Sequence, residues 1–280
     1  MKTAFQKDDA LLADIASTRS RNATRLWWFG QSGFLLQAGG NAVLFDPYLS
    51  DSLTQKYAST DKPHTRLTER VIAPERLTGI DLITSSHNHT DHLDAETLLP
   101  LLKVNPQARL LIPRANVEFV LQRLGSVGSR LIPVEAGETA RAGDLQIVGI
   151  PAAHNSVERD EQGHCRFLGY VASMGMLKIY HSGDTMFHDG LIPALKPLAV
   201  DIALLPINGN KPERKVAGNL NGIEAARLAK AIGARLVIPH HFDMFAFNTE
   251  PPDEFESECR RLGQAFRTLT NGEGVSLSFN

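Results

Sequence analysis

The sequence is poor in cysteine, which limits the ways in which the fold can be stabilised. Its 280 residues include two cysteines, Cys165 and Cys259, which lie far apart and form no CxxC pair. A disulfide framework is therefore not expected. This sparse use of cysteine is typical of a reducing compartment, and we predict a cytoplasmic location.

The sequence also lacks a strong excess of either charge and a long apolar run. A formal net charge of -2 provides no broad positive field of the kind that nucleic-acid backbones attract. The N-terminal residues are interrupted by Asp8, Asp9 and Asp14, so they lack the apolar core of a signal peptide. No segment is long and apolar enough to span a bilayer. We therefore expect no nucleic-acid partner and no membrane span, whereas a homo-oligomer is compatible with the composition.

Two common catalytic patterns are missing as well. The segment GQSGF, residues 30–34, is not a GxSxG nucleophile motif, because the second glycine follows the serine immediately. The sequence contains no P-loop and no GxGxxG element, so nucleotide-cofactor chemistry has no visible site. The chemistry has to come from another group of residues.

The order of apolar runs predicts the architecture. Glycine-separated runs between Arg25 and Asp46 are typical of antiparallel strands, and strand groups followed by helices then occur twice. This order predicts an α/β fold with two packed sheets and helices outside, a four-layer αββα sandwich. Without linkers or repeats, we predict one domain over residues 1–280, with 1–22 as a polar helical extension. The polar segment 50–70 is expected to form a lid or rim loop.

A dense group of metal-ligating residues follows one apolar run. The segment HNHTDH, residues 87–92, comes directly after IDLITSS. His87 and His89 are two residues apart, so in extended backbone both imidazoles project to one side and can share one ion. Asp91 and His92 follow where the chain turns toward a helix, which suits a second ion. Two divalent ions roughly 3.5–4 Å apart can hold a hydroxide between them.

Three further ligand candidates stand where later strands are expected to end. His154 closes LQIVGIPAAH, Asp184 closes LKIYHSGD, and His241 closes RLVIPHH. Residues after buried strands can meet at one edge of the sheets, so separate strands can deliver them to one site. Each residue alone is readily explained by structural hydrogen bonding. Together with the HNHTDH segment, they predict a metal site in which the Asp184 carboxylate can bridge two cations.

This order of residues resembles that of a known family. An HxHxDH segment, a distant His, a GDT-type Asp and a His after a late strand form the ligand order of the metallo-β-lactamase superfamily. Asp46 in FDPYL matches its first motif, in which an Asp at a strand end braces the metal loop. A finer resemblance, to the ascorbate-6-phosphate lactonase-like branch, is carried by WWFGQSGF, YHSGDT and VIPHHFD. The matching segments run from Trp27 to about Phe247.

The resemblance implies a complete ligand set. The superfamily motif places the last ligand two residues after Pro239, which selects His241 over His240. Ligands of these types suit zinc, and a site with two carboxylates also accepts manganese, so we predict two divalent transition-metal ions, zinc or manganese. The implied ligands are His87, His89 and His154 for the first ion and Asp91, His92 and His241 for the second, with Asp184 bridging.

Residues beside the implied ligands have more than one interpretation. Asp46 is expected to brace the metal loop. His181 either orients a ligand through a hydrogen bond or satisfies a strand end. His240 either supports the ligands by packing behind them or contacts the substrate.

The resemblance also implies an activity. A hydroxide between the two ions would attack an electrophilic carbonyl or phosphorus atom, and Asp91 and Asp184 are the predicted catalytic residues, Asp91 as proton relay. The lactonase-like branch implies the opening of a sugar-derived lactone, in a phosphorylated form. Two alternatives stay open: a phosphodiesterase acting on a small or lipid-derived phosphodiester, and a non-enzymatic, metal-containing binding protein.

A basic cluster in the loop NGNKPERKVAGN is the predicted substrate contact. Lys211, Arg214 and Lys215 can anchor a phosphate or carboxylate through charge-assisted hydrogen bonds. A short basic cluster of this kind is also compatible with solvated surface. On the first interpretation, the partner of this protein is a small anionic substrate.

Overall fold

Short apolar runs separated by turn residues become the strands of two sheets. The computed structural model describes residues 1–21 and 23–277, in which one sheet has seven strands and the other six. The first sheet contains β1 (Arg25–Trp28), β2 (Phe34–Ala38), β3 (Asn41–Phe45), β4 (Leu82–Thr84), β5 (Arg109–Pro113), β6 (Leu131–Val134) and β13 (Gly274–Ser276). The second contains β7 (Thr139–Ala142), β8 (Leu145–Pro151), β9 (Leu168–Met174), β10 (Leu177–His181), β11 (Ile202–Pro206) and β12 (Leu236–His240).

Seven α-helices in the described residues connect or flank these strands. Their bounds are α1 (Asp8–Ser20), α2 (Ser52–Lys56), α3 (Ala95–Val104), α4 (Val117–Leu124), α5 (Leu191–Leu195), α6 (Gly222–Ile232) and α7 (Asp253–Leu262). Within the part of the chain that the structure describes, no helix is long and apolar enough to cross a membrane.

The strand order brings several strand ends to the same edge. The first sheet runs β13-β1-β2-β3-β4-β5-β6, and the second runs β12-β11-β10-β9-β8-β7. Strands β3 to β6 pair in parallel, as do β10 to β12. The carboxyl ends of parallel strands lie at one edge, so the segments that follow β3, β4, β10 and β12 can converge. The predicted ligand segments follow three of these four strands.

Alternating side chains along β1 and β2 separate two apolar layers. Trp28 and Phe34 belong to the cluster that joins both sheets to α5, α6 and α7. Trp27 and Leu35, one position along, face the opposite way and pack with α1, α3 and α4. Burial of both faces of each sheet produces the order helix, sheet, sheet, helix. The predicted αββα sandwich is confirmed.

The predicted N-terminal extension contains a packed helix. In α1, Leu11 and Ile15 are buried in the apolar cluster on the outer face of the first sheet. Asp14 on the same helix accepts a 2.8 Å hydrogen bond from Trp27 Nε1. Residue 22, which ends the predicted extension, and residues 278–280 lie outside the described residues. The single domain over residues 1–280 stays a prediction.

The polar segment 50–70 is anchored at several points. It contains the short helix α2, whose residue Leu53 donates its N–H to the Tyr48 hydroxyl over 2.9 Å. Arg66 Nε donates to Asp51 Oδ1 over 2.8 Å. The first contact ties the segment to Tyr48, and the second joins its two ends to each other.

Candidate metal centre

Three histidines form the first of two groups of candidate metal ligands, which we call the histidine group. His87 and His89 follow β4, and His154 stands three residues after β8 ends. One ligand atom of each lies within 4.8 Å of those of the other two. The His154 Nδ1–H donates to the Gly218 carbonyl oxygen over 2.8 Å. That hydrogen bond fixes the tautomer and leaves the Nε2 lone pair free for an ion.

Two aspartates and two histidines form the second group, which we call the carboxylate group. His241 Nε2 lies 3.4 Å from Asp184 Oδ2 and 3.6 Å from Asp91 Oδ2. His92 Nε2 lies 3.3 Å from Asp184 Oδ1. The chain delivers these side chains from the turns after β4, β10 and β12, so this group exists only in the folded protein.

Asp184 lies between the two groups. Besides its contacts with His92 and His241, its Oδ2 is 3.7 Å from Nε2 of His154 in the histidine group. The turn that carries it approaches the metal loop closely, since a Cβ at Gly183 would lie 2.4 Å from the Ser86 Cβ. Gly183 also has a φ of +57°, a conformation that suits glycine. The structure thus brings the seven predicted ligands into two adjoining groups.

The donor atoms of both groups fit divalent cations. His87 Nε2, His92 Nε2 and Asp184 Oδ1 are buried and have no hydrogen-bond partner among the described residues. Leaving a buried polar atom unpaired costs about 1–3 kcal/mol, so such atoms normally have a partner. Imidazole nitrogen and carboxylate oxygen are ligands that zinc and manganese accept. The residues present therefore fit metal ions.

Burial and neighbouring charges act differently on the two groups. Burial lowers the pKa of His87 well below its usual value and lowers that of His89 to about 4. Both imidazoles are therefore neutral at pH 7 and keep a free lone pair. Burial also acts to lower the pKa of His241, but Asp184 and Asp91 outweigh it and raise this pKa to about 9. The carboxylates favour positive charge at this position, which a divalent cation also supplies.

Asp46 supports the carboxylate group from behind. Its Oδ2 accepts a 2.7 Å hydrogen bond from His92 Nδ1–H, and its Oδ1 accepts one of 2.7 Å from the Thr84 hydroxyl. A carboxylate on Nδ1–H fixes the tautomer of His92 and leaves Nε2 facing Asp184. These are the contacts that the predicted bracing role of Asp46 requires, and the role itself stays a prediction.

His181 and His240 form a buried stack beneath the site. Their rings are 5.2 Å apart and nearly parallel. His181 Nε2–H donates to the Ser32 carbonyl oxygen, and its Nδ1 accepts a 3.3 Å hydrogen bond from the N–H of Gly183. His181 thereby supports the turn that carries Asp184. His240 is completely buried, and its Nδ1 lies 3.2 Å from Ser32 Oγ, which favours packing over substrate contact.

The two ligand groups open onto a cavity of roughly 560 Å³. That volume is suited to a small molecule. One wall is formed by the segment 50–70, which the sequence predicted as a lid or rim loop. The residues that this segment contributes are Leu53, Lys56, Tyr57, Lys62 and His64.

The three residues predicted to contact the substrate differ in their position relative to the cavity. Lys215 lines the cavity, whereas Lys211 and Arg214 do not. Both of these side chains form ion pairs with Glu250, and Arg214 also donates to the Asn208 carbonyl oxygen over 2.6 Å. Lys211 and Arg214 therefore secure the loop, because the carboxylate of Glu250 already occupies their charged groups.

Sequence reasoning missed several polar residues of the cavity. Arg123 on α4 donates to the carbonyl oxygens of Asn88 and Leu93, over 2.8 and 3.1 Å, and so holds both ends of the metal loop. No local pattern marked this arginine, since it lies 30 or more residues further along the chain. Gln31 belongs to the WWFGQSGF motif, and this motif was the sequence signal that could have identified it. The missed lining residues include Gln31, Lys56, Lys62 and Arg123.

A sandwich of two sheets with histidine and aspartate ligands at strand ends defines the class of metallo-β-lactamase-fold proteins. A family described as "Beta-lactamase superfamily domain" matches residues 41–242. A UPF0173 metal-dependent hydrolase of Rubrobacter xylanophilus is 30% identical over 86% of this chain and 90% of its own. A UPF0173 metal-dependent hydrolase of Archaeoglobus fulgidus is 28% identical, and the match covers 91% of this chain and 99% of its own. The chain therefore belongs to the metallo-β-lactamase superfamily and, within it, to the UPF0173 family of metal-dependent hydrolases.

A solved structure shows the same fold. Igni18, described as a novel metallo hydrolase from Ignicoccus hospitalis, superposes with a TM-score of 0.67 at 23% identity. The match covers 92% of this chain and all of the Igni18 chain. This similarity shows the fold, and the lactonase-like branch stays a prediction.

Proposed function

We propose that this protein hydrolyses its substrate with two divalent transition-metal ions, zinc or manganese. The observation that carries this proposal is the pair of adjoining ligand groups with Asp184 between them. When bound, such ions lower the pKa of a water molecule and polarise the bond to be cleaved. The proposed ligands are His87, His89 and His154 for one ion and Asp91, His92 and His241 for the other, with Asp184 bridging.

The two aspartates of the site have different proposed roles. Both side chains line the cavity, but that of Asp91 is 16% exposed and that of Asp184 is 4% exposed. A proton relay has to reach the substrate, which favours the more open carboxylate. Asp91 is therefore the proposed relay, and Asp184 holds both halves of the site together.

The charges around the cavity favour an anionic substrate. Lys56, Lys62, Arg123 and Lys215 line it, and Lys62 Nζ donates to the Lys215 carbonyl oxygen over 2.8 Å. The acidic residues of the lining are the two aspartates of the ligand groups, whose charge bound cations would balance. Excess positive charge is thus left for a phosphate or carboxylate of the substrate.

The proposed reaction is the opening of a phosphorylated, sugar-derived lactone. Water adds to the carbonyl carbon, the ring C–O bond breaks, and a hydroxy acid is released. The motifs WWFGQSGF, YHSGDT and VIPHHFD support this choice through their resemblance to the lactonase-like branch. The basic residues that line the cavity support the choice of a phosphorylated substrate, and Lys215 is the proposed contact of the phosphate.

A parallel assay tests the proposal. Elemental analysis of protein purified without added metal should find one to two equivalents of zinc or manganese per chain. The loaded protein should open phosphorylated lactones, and Lys215→Ala should raise KM for them by about tenfold, as expected for one charge-assisted hydrogen bond. Plain lactones should be unaffected by this change. Lys211→Ala is the matched control, because Lys211 belongs to the same loop but pairs with Glu250.

Three other outcomes contradict the proposal in different ways. Cleavage of phosphodiesters without lactone opening would assign the phosphodiesterase alternative. Bound metal without turnover of any tested ester would favour the binding-protein alternative. A chain that retains no metal, and gains no activity with added zinc or manganese, would contradict the metal assignment itself.

A further inference from the structure

Gln31 contacts two members of the carboxylate group at once. Its Nε2 donates to Asp91 Oδ2 over 2.8 Å and lies 3.0 Å from His241 Nε2. Its backbone carbonyl oxygen accepts a 2.9 Å hydrogen bond from the His241 N–H. The residue is 3% exposed and lines the cavity. One neutral residue therefore joins two ligands that follow strands of different sheets.

The backbone at Gln31 is held in an uncommon conformation. Its φ is +47°, in the left-handed region that residues with a Cβ rarely adopt. The turn is closed by a 2.8 Å hydrogen bond from Gly33 N–H to the Gly30 carbonyl, and Trp28 Nε1–H donates to the Gln31 carbonyl over 3.0 Å. Strained residues persist where the surroundings over-determine them, and they cluster at functional sites. Here the turn directs an amide toward the ligand group.

An amide suits this position better than a charged group. Asp91 needs a hydrogen-bond donor to hold its carboxylate in one orientation. A lysine or arginine would supply the donor but would repel a divalent cation nearby, and a carboxylate would repel Asp91. Glutamine donates without a formal charge.

We infer that Gln31 is a positioning residue for the carboxylate group, acting through the side chain of Asp91 and the backbone of His241. This inference rests on the metal assignment proposed above. Hydrogen bonds of this kind to a metal ligand orient it, and their loss typically weakens metal binding by about 10–100-fold. The backbone contact does not involve the side chain, so a substitution tests the amide alone.

The first experiment replaces the amide and measures metal binding. Zinc is titrated into full-length, metal-free Gln31→Met against a chromophoric chelator, because methionine has a similar length but donates no hydrogen bond. Affinity for one ion should fall by about 10–100-fold, and affinity for the other should change by less than about twofold. The absorption bands of the cobalt-substituted protein should shift, which a purely structural role would not cause.

Gln264→Met is the matched control. Gln264 is also buried, and its Nε2 donates to the carbonyl oxygens of Ala234 and Ala265, both over 3.0 Å. It does not line the cavity. This variant loses comparable hydrogen bonds and should leave both zinc affinities unchanged. If methionine at position 31 disturbs folding, Gln31→Asn replaces it, since asparagine adopts the left-handed region readily and shortens the reach of the amide.

A double-mutant cycle tests the route through Asp91. If Gln31 acts through that carboxylate, Gln31→Met should weaken zinc binding by less than about twofold in an Asp91→Ala background, which lacks the acceptor. Fully additive losses would overturn the inference, as would unchanged zinc affinity and cobalt spectra in Gln31→Met. A wild-type protein that binds no metal would instead overturn the proposed function, and the inference with it.

Discussion

The two ligand groups differ in how the chain assembles them. The histidine group takes two of its three members from alternate positions after β4, whereas the carboxylate group draws on turns after β4, β10 and β12. Burial keeps His87 and His89 neutral, while carboxylates raise the pKa of His241 to about 9. The comparison shows that the charged half of the site depends more heavily on distant contacts.

Positive φ values recur around the carboxylate group. Gln31, Asp46 and His241 have φ values of +47°, +37° and +58°. The first two contact the carboxylate group and the third belongs to it. Among the described residues, the three ligands of the histidine group all have negative φ. Positive φ is unfavourable for these residue types, so it is retained where it directs a side chain that the site needs.

The largest expected effect comes from removing the residue that joins the groups. Asp184→Ala should reduce turnover by at least about 10³-fold, since metal ions supply several kcal/mol of transition-state stabilisation and 1.36 kcal/mol is a factor of ten. Metal content should fall for both ions while the circular dichroism spectrum stays native. Asp144→Ala, at an exposed position, is the control. Full activity of Asp184→Ala would refute the bridging role.

A smaller effect is expected when a single ligand of one group is removed, and it tests whether the two groups bind metal independently. His154→Ala removes a ligand of the histidine group alone, and His241→Ala removes one of the carboxylate group alone. Each variant should retain about one equivalent of metal per chain when the wild type retains two, because the other ligand set is intact. Elemental analysis after dialysis measures this difference. Loss of both ions in either variant would show that the groups form one indivisible site.

The smallest effect concerns a carboxylate outside both groups. Glu258 on α7 accepts from Arg261 and Arg227, over 2.6 and 2.7 Å, and these hydrogen bonds lower its pKa to about 2. A lowered folded-state pKa stabilises the fold above the unfolded value of 4.5, and this stabilisation disappears as pH falls from 4.5 toward 2. Glu258→Gln should lower the urea midpoint slightly at pH 7 and by less at pH 3, where part of this stabilisation has already been lost. Equal shifts at both pH values would contradict this assignment.

Short sequence patterns predicted much of the fold and of the candidate site. Glycine-separated apolar runs predicted the β1 to β3 meander, and repeated strand and helix groups predicted the αββα layers, because side-chain periodicity is a property of neighbouring residues. The spacing in HNHTDH likewise identified His87 and His89 as a pair. Strand lengths were less accurate: β8 ends at Pro151, so His154 follows the strand instead of closing it.

The sequence by itself determined the types of candidate ligand, their order and the two-sheet class, since all of these are recorded in short segments. Only the tertiary structure decided which polar residues face the cavity. Gln31 lies 60 residues from Asp91 and 210 from His241, so no local pattern could pair them. The sequence suggested Arg214 as an anion-binding residue, but in the folded protein its guanidinium group is paired with the Glu250 carboxylate. Side-chain partners depend on distances in space, which the sequence encodes only through the complete fold.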